Sequence, residues 1–246
     1  EEEEEEEEEK EKEKDEDEDE ELERMSSWYE VESVGEVRPT ARVRHTLTYV
    51  GGSSFVLVGG RSNPSNAMSD VLIGELSRKS KRWRVRWQRE KRKKSSPPPS
   101  FAGRWSHTAT YDEARSIVWV YGGRDSKQVF DEVHTMVVSH VGGGSGVNGG
   151  GEMSKEIQES IHVKTTGSSP KNGRFSHTST LIKSMLVVVG GCSTLSGVDG
   201  GGESGGGEMT SMQLYLLNLS TKTWSNVQPS TPPSFSSVSS SSSTRL

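Results

Sequence analysis

The chain contains a single cysteine, Cys192, among 246 residues. One thiol excludes an intramolecular disulfide framework and makes a reducing compartment the default expectation. Apolar residues are scarce as well. Hydrophobic types make up 29% of the chain and aromatics 7%, so a core has to be assembled from several short segments. No run approaches the ~20 apolar residues of a membrane-spanning helix, and the acidic N-terminus has no apolar stretch of the signal-peptide kind. A soluble protein of the cytoplasm, with the nucleus as the alternative and no membrane partner, is therefore expected. Because the chain starts at Glu1 and not at Met, a fragment of a longer protein is also expected.

The net charge of −6 conceals an asymmetry. Residues 1–23 hold 19 acidic and 3 basic side chains, a charge of −16, with Leu22 as the only large apolar residue. Removing them leaves +10 on residues 24–246. A segment so charged buries too little surface to offset the entropy of ordering, so residues 1–24 are expected to be a disordered acidic tail. Residues 230–246 form a Ser-rich end, expected to be disordered, and Gly-rich insertions lie near 142–151 and 197–207. What remains, residues 25–229, suffices for one domain.

Within that span one phrase occurs three times: Arg-x-x-His-Thr, an apolar run, then Gly-Gly. The copies are Arg42, His45, Gly59, Gly60; Arg104, His107, Gly122, Gly123; and Arg174, His177, Gly190, Gly191. From His to the first Gly the spacing is 14, 15 and 13 residues. An internal repeat of this regularity sets the fold. Each His-Thr segment reads as a short strand. The apolar runs, such as Ile117 to Tyr121, suit a strand buried on both faces. Third strands are expected near residues 70–73, 131–136 and 212–216. Fourth strands are expected at Trp83 or Trp87 and at Trp224, with an additional one at Trp28.

These residues resemble the kelch repeat, over about residues 28–228. The resemblance implies an all-β fold: a partial kelch-type β-propeller of about three four-stranded blades plus one extra strand. Two departures stand out. The second unit has Ser160-Ile161 where the fourth-strand Trp belongs, and the third unit lacks the acidic residue that opens the third strand. Those blades are expected to pack less well. Three blades are also fewer than the 4–8 of a closed propeller.

The repeated residues invite chemical readings. His45, His107 and His177 could be metal ligands, but one per repeat with no recurring Cys or carboxylate favours structural, hydrogen-bonded histidines. Arg42, Arg104 and Arg174 could face a channel and bind an anion, or form structural salt bridges. Gly144, Gly146 and Gly149 match a nucleotide-loop pattern by composition alone, within a β-repeat, so a flexible insertion is expected there. Cys192 has no partner base in the sequence pattern and reads as a small packing residue. No catalytic, cofactor-binding or metal-binding residue is assigned.

The sharpest charge feature is the basic run Arg78, Lys79, Lys81, Arg82, Arg84, Arg86, Arg89, Lys91, Arg92, Lys93 and Lys94, interleaved with Trp83 and Trp87. It is a candidate contact for nucleic acid or a partner, with solvated strand charges as the alternative. Together these features point to a non-catalytic scaffold that binds another protein or an adjoining domain. The phrases Arg104 to Ala109 and Val120 to Arg124 also resemble the kelch portion of leucine carboxyl methyltransferase-like tRNA wybutosine-synthesizing enzymes. That resemblance implies an S-adenosylmethionine-dependent tRNA methyltransferase whose catalytic residues lie outside this chain, with the basic run touching tRNA.

Overall fold

The computed structural model describes residues 28–80, 82–91, 101–141, 154–158, 160–194 and 213–227. The expected acidic tail, the Ser-rich end, both Gly-rich insertions with Gly144, Gly146 and Gly149, and Lys81, Arg92, Lys93 and Lys94 lie outside the described residues.

The fold is all-β, in three successive five-stranded sheets. The first contains β1 (Val31–Val34), β2 (Thr46–Tyr49), β3 (Ser54–Val58), β6 (Val71–Lys79) and β7 (Arg82–Arg89), ordered β1-β7-β6-β3-β2, with a small hairpin of β4 (Arg61–Asn63) and β5 (Asn66–Ala67) beside it. The second holds β8 (Thr108–Asp112), β9 (Ile117–Tyr121), β10 (Val133–Val141), β11 (Ser154–Ile157) and β12 (Ile161–Val163). The third is ordered β13 (Thr166–Gly167), β17 (Thr223–Val227), β16 (Leu214–Asn218), β15 (Met185–Val189) and β14 (Thr178–Ile182). The strands after the His-Thr phrases, β2, β8 and β14, form one edge of each sheet and meet their counterparts. Thr48 donates to the Ala109 carbonyl at 3.3 Å, and Thr110 pairs with Ser179 at 2.8 Å. No helix among the described residues is long and apolar enough to cross a membrane.

The expected strands are present, but each sheet has a fifth. β1, expected as a fourth strand from another blade, instead runs parallel to β7, from Val31 opposite Trp83 to Val34 opposite Arg86. β13 lies against β17 in the same way. The lead-in to each of these blades thus satisfies backbone groups that an edge strand would leave bare. Trp28 itself is fully exposed. In the second sheet β10 is long enough for two partners: β12 pairs with Val133 to Thr135, and β11 with Val138 to Val141. Ile161 remains exposed, whereas Ile157 of β11 is fully buried and supplies the outer strand's share of the core.

Two apolar clusters hold the sheets face to face. Val56, Val58, Val71 and Ile73 of the first sheet meet Val118, Val120, Met136, Val138 and Ile157 of the second. Trp119, Tyr121 and Val133 on its other face meet Leu186, Val188, Tyr215, Leu217 and Trp224 of the third. β9 is continuously apolar because alternate residues serve different clusters. Each such side chain contributes about 1.5–3 kcal/mol when buried. In β15 only Leu186 and Val188 are fully buried; Met185, Val187 and Val189 face away from the second sheet and remain half-buried. Reversing polarity should follow that division. Val120→Asp is expected to unfold the chain, whereas Val187→Thr should lower Tm by only a few degrees in thermal melts.

Candidate functional site

The repeat residues converge on the joints between sheets. Arg42 holds Asp70 through two hydrogen bonds of 2.8 Å and donates to the Gly59 carbonyl at 3.0 Å. Arg104, fully buried, binds Glu132 at 2.7 Å and the Gly122 carbonyl at 3.2 Å, with Phe101 and Phe130 over its guanidinium. Arg174 donates to the Gly191 carbonyl at 3.3 Å and to the Gln213 side-chain oxygen. The backbone amides of Gly59, Gly122 and Gly190 bind the carbonyls of Asp70, Glu132 and Gln213, so these three residues are equivalent. Of the two readings for the arginines, the structural salt bridge holds in the first two sheets. In the third, a neutral glutamine stands where the acid is missing. The hydrogen bond from His134, reinforced by Arg104, holds Glu132 down at about 2. Glu132→Ala should cost about 3–5 kcal/mol in urea melts by leaving the Arg104 charge buried alone. Glu132→Gln, which reproduces the third sheet, should cost less.

The histidines tie each sheet to the one before it. His107 Nε2 lies 3.0 Å from Thr46 Oγ1, and His177 Nε2 lies 2.9 Å from Thr108 Oγ1. The hydrogen-bonded structural role is therefore observed for both, while His45, in the first copy, is exposed. Burial, followed by nearby Arg104, depresses His107 to about 3; burial and Arg174 depress His177 to about 4. Nδ1 of each has no hydrogen-bond partner among the described residues, so a second proton there would be an unheld buried charge. Unfolding restores the ordinary value near 6.5. Their contribution to stability is thus complete above pH ~6.5 and is lost as pH falls toward 3–4. Melts between pH 7 and 4 should show stability falling with acid, and His107→Gln should make that slope shallower.

The Gly-Gly turns complete the joint. Gly60 donates to the Arg104 carbonyl at 2.9 Å and Gly123 to the Arg174 carbonyl at 2.8 Å. A Cβ on Gly122 would stand 2.3 Å from the Arg174 carbonyl oxygen, whereas one on Gly190, at a similar positive φ, would meet nothing within 4 Å. Gly103 and Gly173 press on the preceding sheet's Ala67 and Phe130 carbonyls; Ala41 takes that place in the first copy. Arg61 stacks on Trp105 and Arg124 on Phe175, across the two joints. At the outer ends the matching residues are Val43, 55% exposed, and Cys192. Cys192 is exposed, contrary to the packing role expected from sequence, because no further sheet covers it among the described residues. Both glycine substitutions share a left-handed backbone cost of about 1–2 kcal/mol. Gly122→Ala should add about 1–3 kcal/mol of overpacking that Gly190→Ala lacks, as read by chemical denaturation.

The basic run falls on the β6–β7 hairpin. Arg82, Arg84 and Arg86 alternate along β7 and share one face, with Arg78 and Lys79 across the hairpin. Arg84 binds Glu32 at 3.0 Å, Lys91 pairs with Glu156, and Arg78 lies over Trp83. Arg89 is exposed near the end of β7, on the opposite face from Arg86. The described part is therefore a charged strand, flanked by β1 and β6, that is partly neutralised within the chain.

Sequence reasoning missed one cleft. A cavity of about 840 Å³ opens beside Arg174, lined among others by Lys171, Asn172, Ser193, Gln213, Tyr215 and Asn226. The available signal was the position three residues before the repeat arginine, which reads Pro39, Phe101 and then Lys171.

No protein-family model matches this chain. It is 26% identical over 220 residues to a mouse protein named Rab9 effector protein with kelch motifs, covering 86% of this chain and 47% of that protein. The Xenopus laevis protein of the same name is 25% identical, covering 87% and 49%. A tRNA wybutosine-synthesizing protein 4 of Aspergillus fumigatus is 35% identical over 96 residues, 37% of this chain and 8% of that protein. A solved structure described as that of YjhT matches 78% of this chain at 13% identity and a TM-score of 0.46. The chain spans about half the length of the Rab9 effector relatives it matches. The three-fold Arg-x-x-His and Gly-Gly joints link three successive sheets as in a partial kelch-type β-propeller, and the relatives matched along most of the chain are named for kelch motifs.

Proposed function

We propose that the chain is a protein-interaction scaffold without chemistry of its own. The observation that carries this is where the repeat residues are spent. The side chains most suited to catalysis or ligation are already committed: His107 and His177 tie one sheet to the next, and Arg42 and Arg104 are paired with acids of their own sheets. What is left to act is surface, including the exposed Leu47 and Tyr49 of β2 and the exposed ends of the blades. A rigid framework with exposed connections suits recognition, and two relatives bear the name of Rab9 effectors. Purified Rab9 is therefore the first partner to assay, by surface plasmon resonance. Saturable binding that Leu47→Asp/Tyr49→Asp weakens without lowering Tm supports the reading; absence of binding removes Rab9 as the partner.

A second reading has its own support: the arginine face of β7 and the 96-residue likeness to a wybutosine-synthesizing protein. Under it the hairpin contacts tRNA phosphates. Binding to tRNA across a salt series should then weaken steeply, and Arg82→Gln and Arg86→Gln should each reduce the slope of log K against log salt by about 1. Equal binding to tRNA and duplex DNA, with unchanged slopes, would overturn it.

A further inference from the structure

We propose that the cleft beside Arg174 is a binding site for a carboxylate. The three repeat arginines sit in equivalent positions, and two of them are neutralised from within their own sheet by Asp70 and Glu132. Arg174 is as deeply placed, 5% exposed, yet the equivalent residue is Gln213, and no carboxylate meets it among the described residues. A buried guanidinium lacking a counter-charge is costly unless something supplies one.

Around it the lining differs from the second blade in a consistent direction. Phe101 covers Arg104 there, whereas Lys171 holds that position here and places a second positive charge on the cleft. Arg42 and Arg104 direct Nε to the carbonyl two residues earlier, at 3.1 Å in each case. In the third blade Asn172 adopts a left-handed backbone at φ 61, and Arg174 Nε has no hydrogen-bond partner among the described residues. Asn226 also lines the cleft. An opening of about 840 Å³ falls within the range of ligand pockets.

A carboxylate is favoured over other anions because that group already satisfies the same arginine in both other blades. Its source is a free small acid or an Asp or Glu side chain of a partner protein. In either case the carboxylate takes its charge-assisted bonds from Lys171 and the polar groups around Arg174.

The test follows backbone amides of residues 171–174 by NMR in the 246-residue chain. The probes are succinate, a blocked Gly-Glu-Gly peptide, the blocked Gly-Gln-Gly peptide and sulfate. Saturable shifts with succinate or the Glu peptide, and none with the Gln peptide, are expected. The tighter of the two carboxylate probes identifies the source. Lys171→Gln, at an exposed position, should weaken binding about tenfold. Gln213→Glu restores an internal acid and should both abolish binding and raise the Tm of the unliganded chain, so it reads the site without depending on a variant that unfolds. Equal response to sulfate, no saturable shift with either carboxylate, or unchanged binding in Gln213→Glu would overturn the assignment.

Discussion

The structure depends on a joint made of backbone. In both internal joints the second glycine of the Gly-Gly turn donates its amide to the carbonyl of the next repeat's arginine. This works only because no Cβ intervenes, as the 2.3 Å separation from a Cβ on Gly122 shows. The surrounding contacts preserve that approach. The arginine side chain reaches back to the turn of its own sheet, and the histidine reaches to the preceding sheet's threonine. Apolar burial supplies most of the attraction between sheets, but it is indifferent to registry. The hydrogen-bonded joint sets how one blade sits on the next.

Repetition made much of this legible in the sequence. The spacing of His45, His107 and His177 to their glycines located the first two strands of every blade. The continuous apolar run Ile117 to Tyr121 correctly implied a strand covered on both faces. What stayed hidden was pairing across large sequence distances. Nothing local to Val31 says that it will lie beside Trp83, nor does Ser160-Ile161 reveal that β10 shares its length between two short strands. The arginines were undecided for a similar reason. Their acids lie 28 residues further on, and only the fold makes those positions neighbours. The third-blade glutamine was invisible because a long Gly-rich insertion breaks the spacing that marked Asp70 and Glu132.

Burial and charge divide the molecule by function. Groups that titrate unusually, His107, His177 and Glu132, sit in or beside joints and report on cohesion. The exposed positive charge of β7 lies next to β1, whose Glu32 moderates it together with solvent. Arg174 alone among the repeat arginines combines an inner position with a neutral partner. One substitution in a repeat can therefore turn a cohesive element into a receptive one while leaving the backbone in place.

The first and third sheets carry different residues at the places matching the internal joints. Each described blade is joined head to tail to the next. Ala41, Val43 and Cys192 occupy the places that glycine, an aromatic ring and arginine fill at the internal joints. The extra methyl of Ala41 obstructs the close carbonyl approach, and the cation–ring stack has neither of its halves. The internal joint is thus specific to its two places in the described blades, set by the absence of one methyl and the presence of one stacked pair.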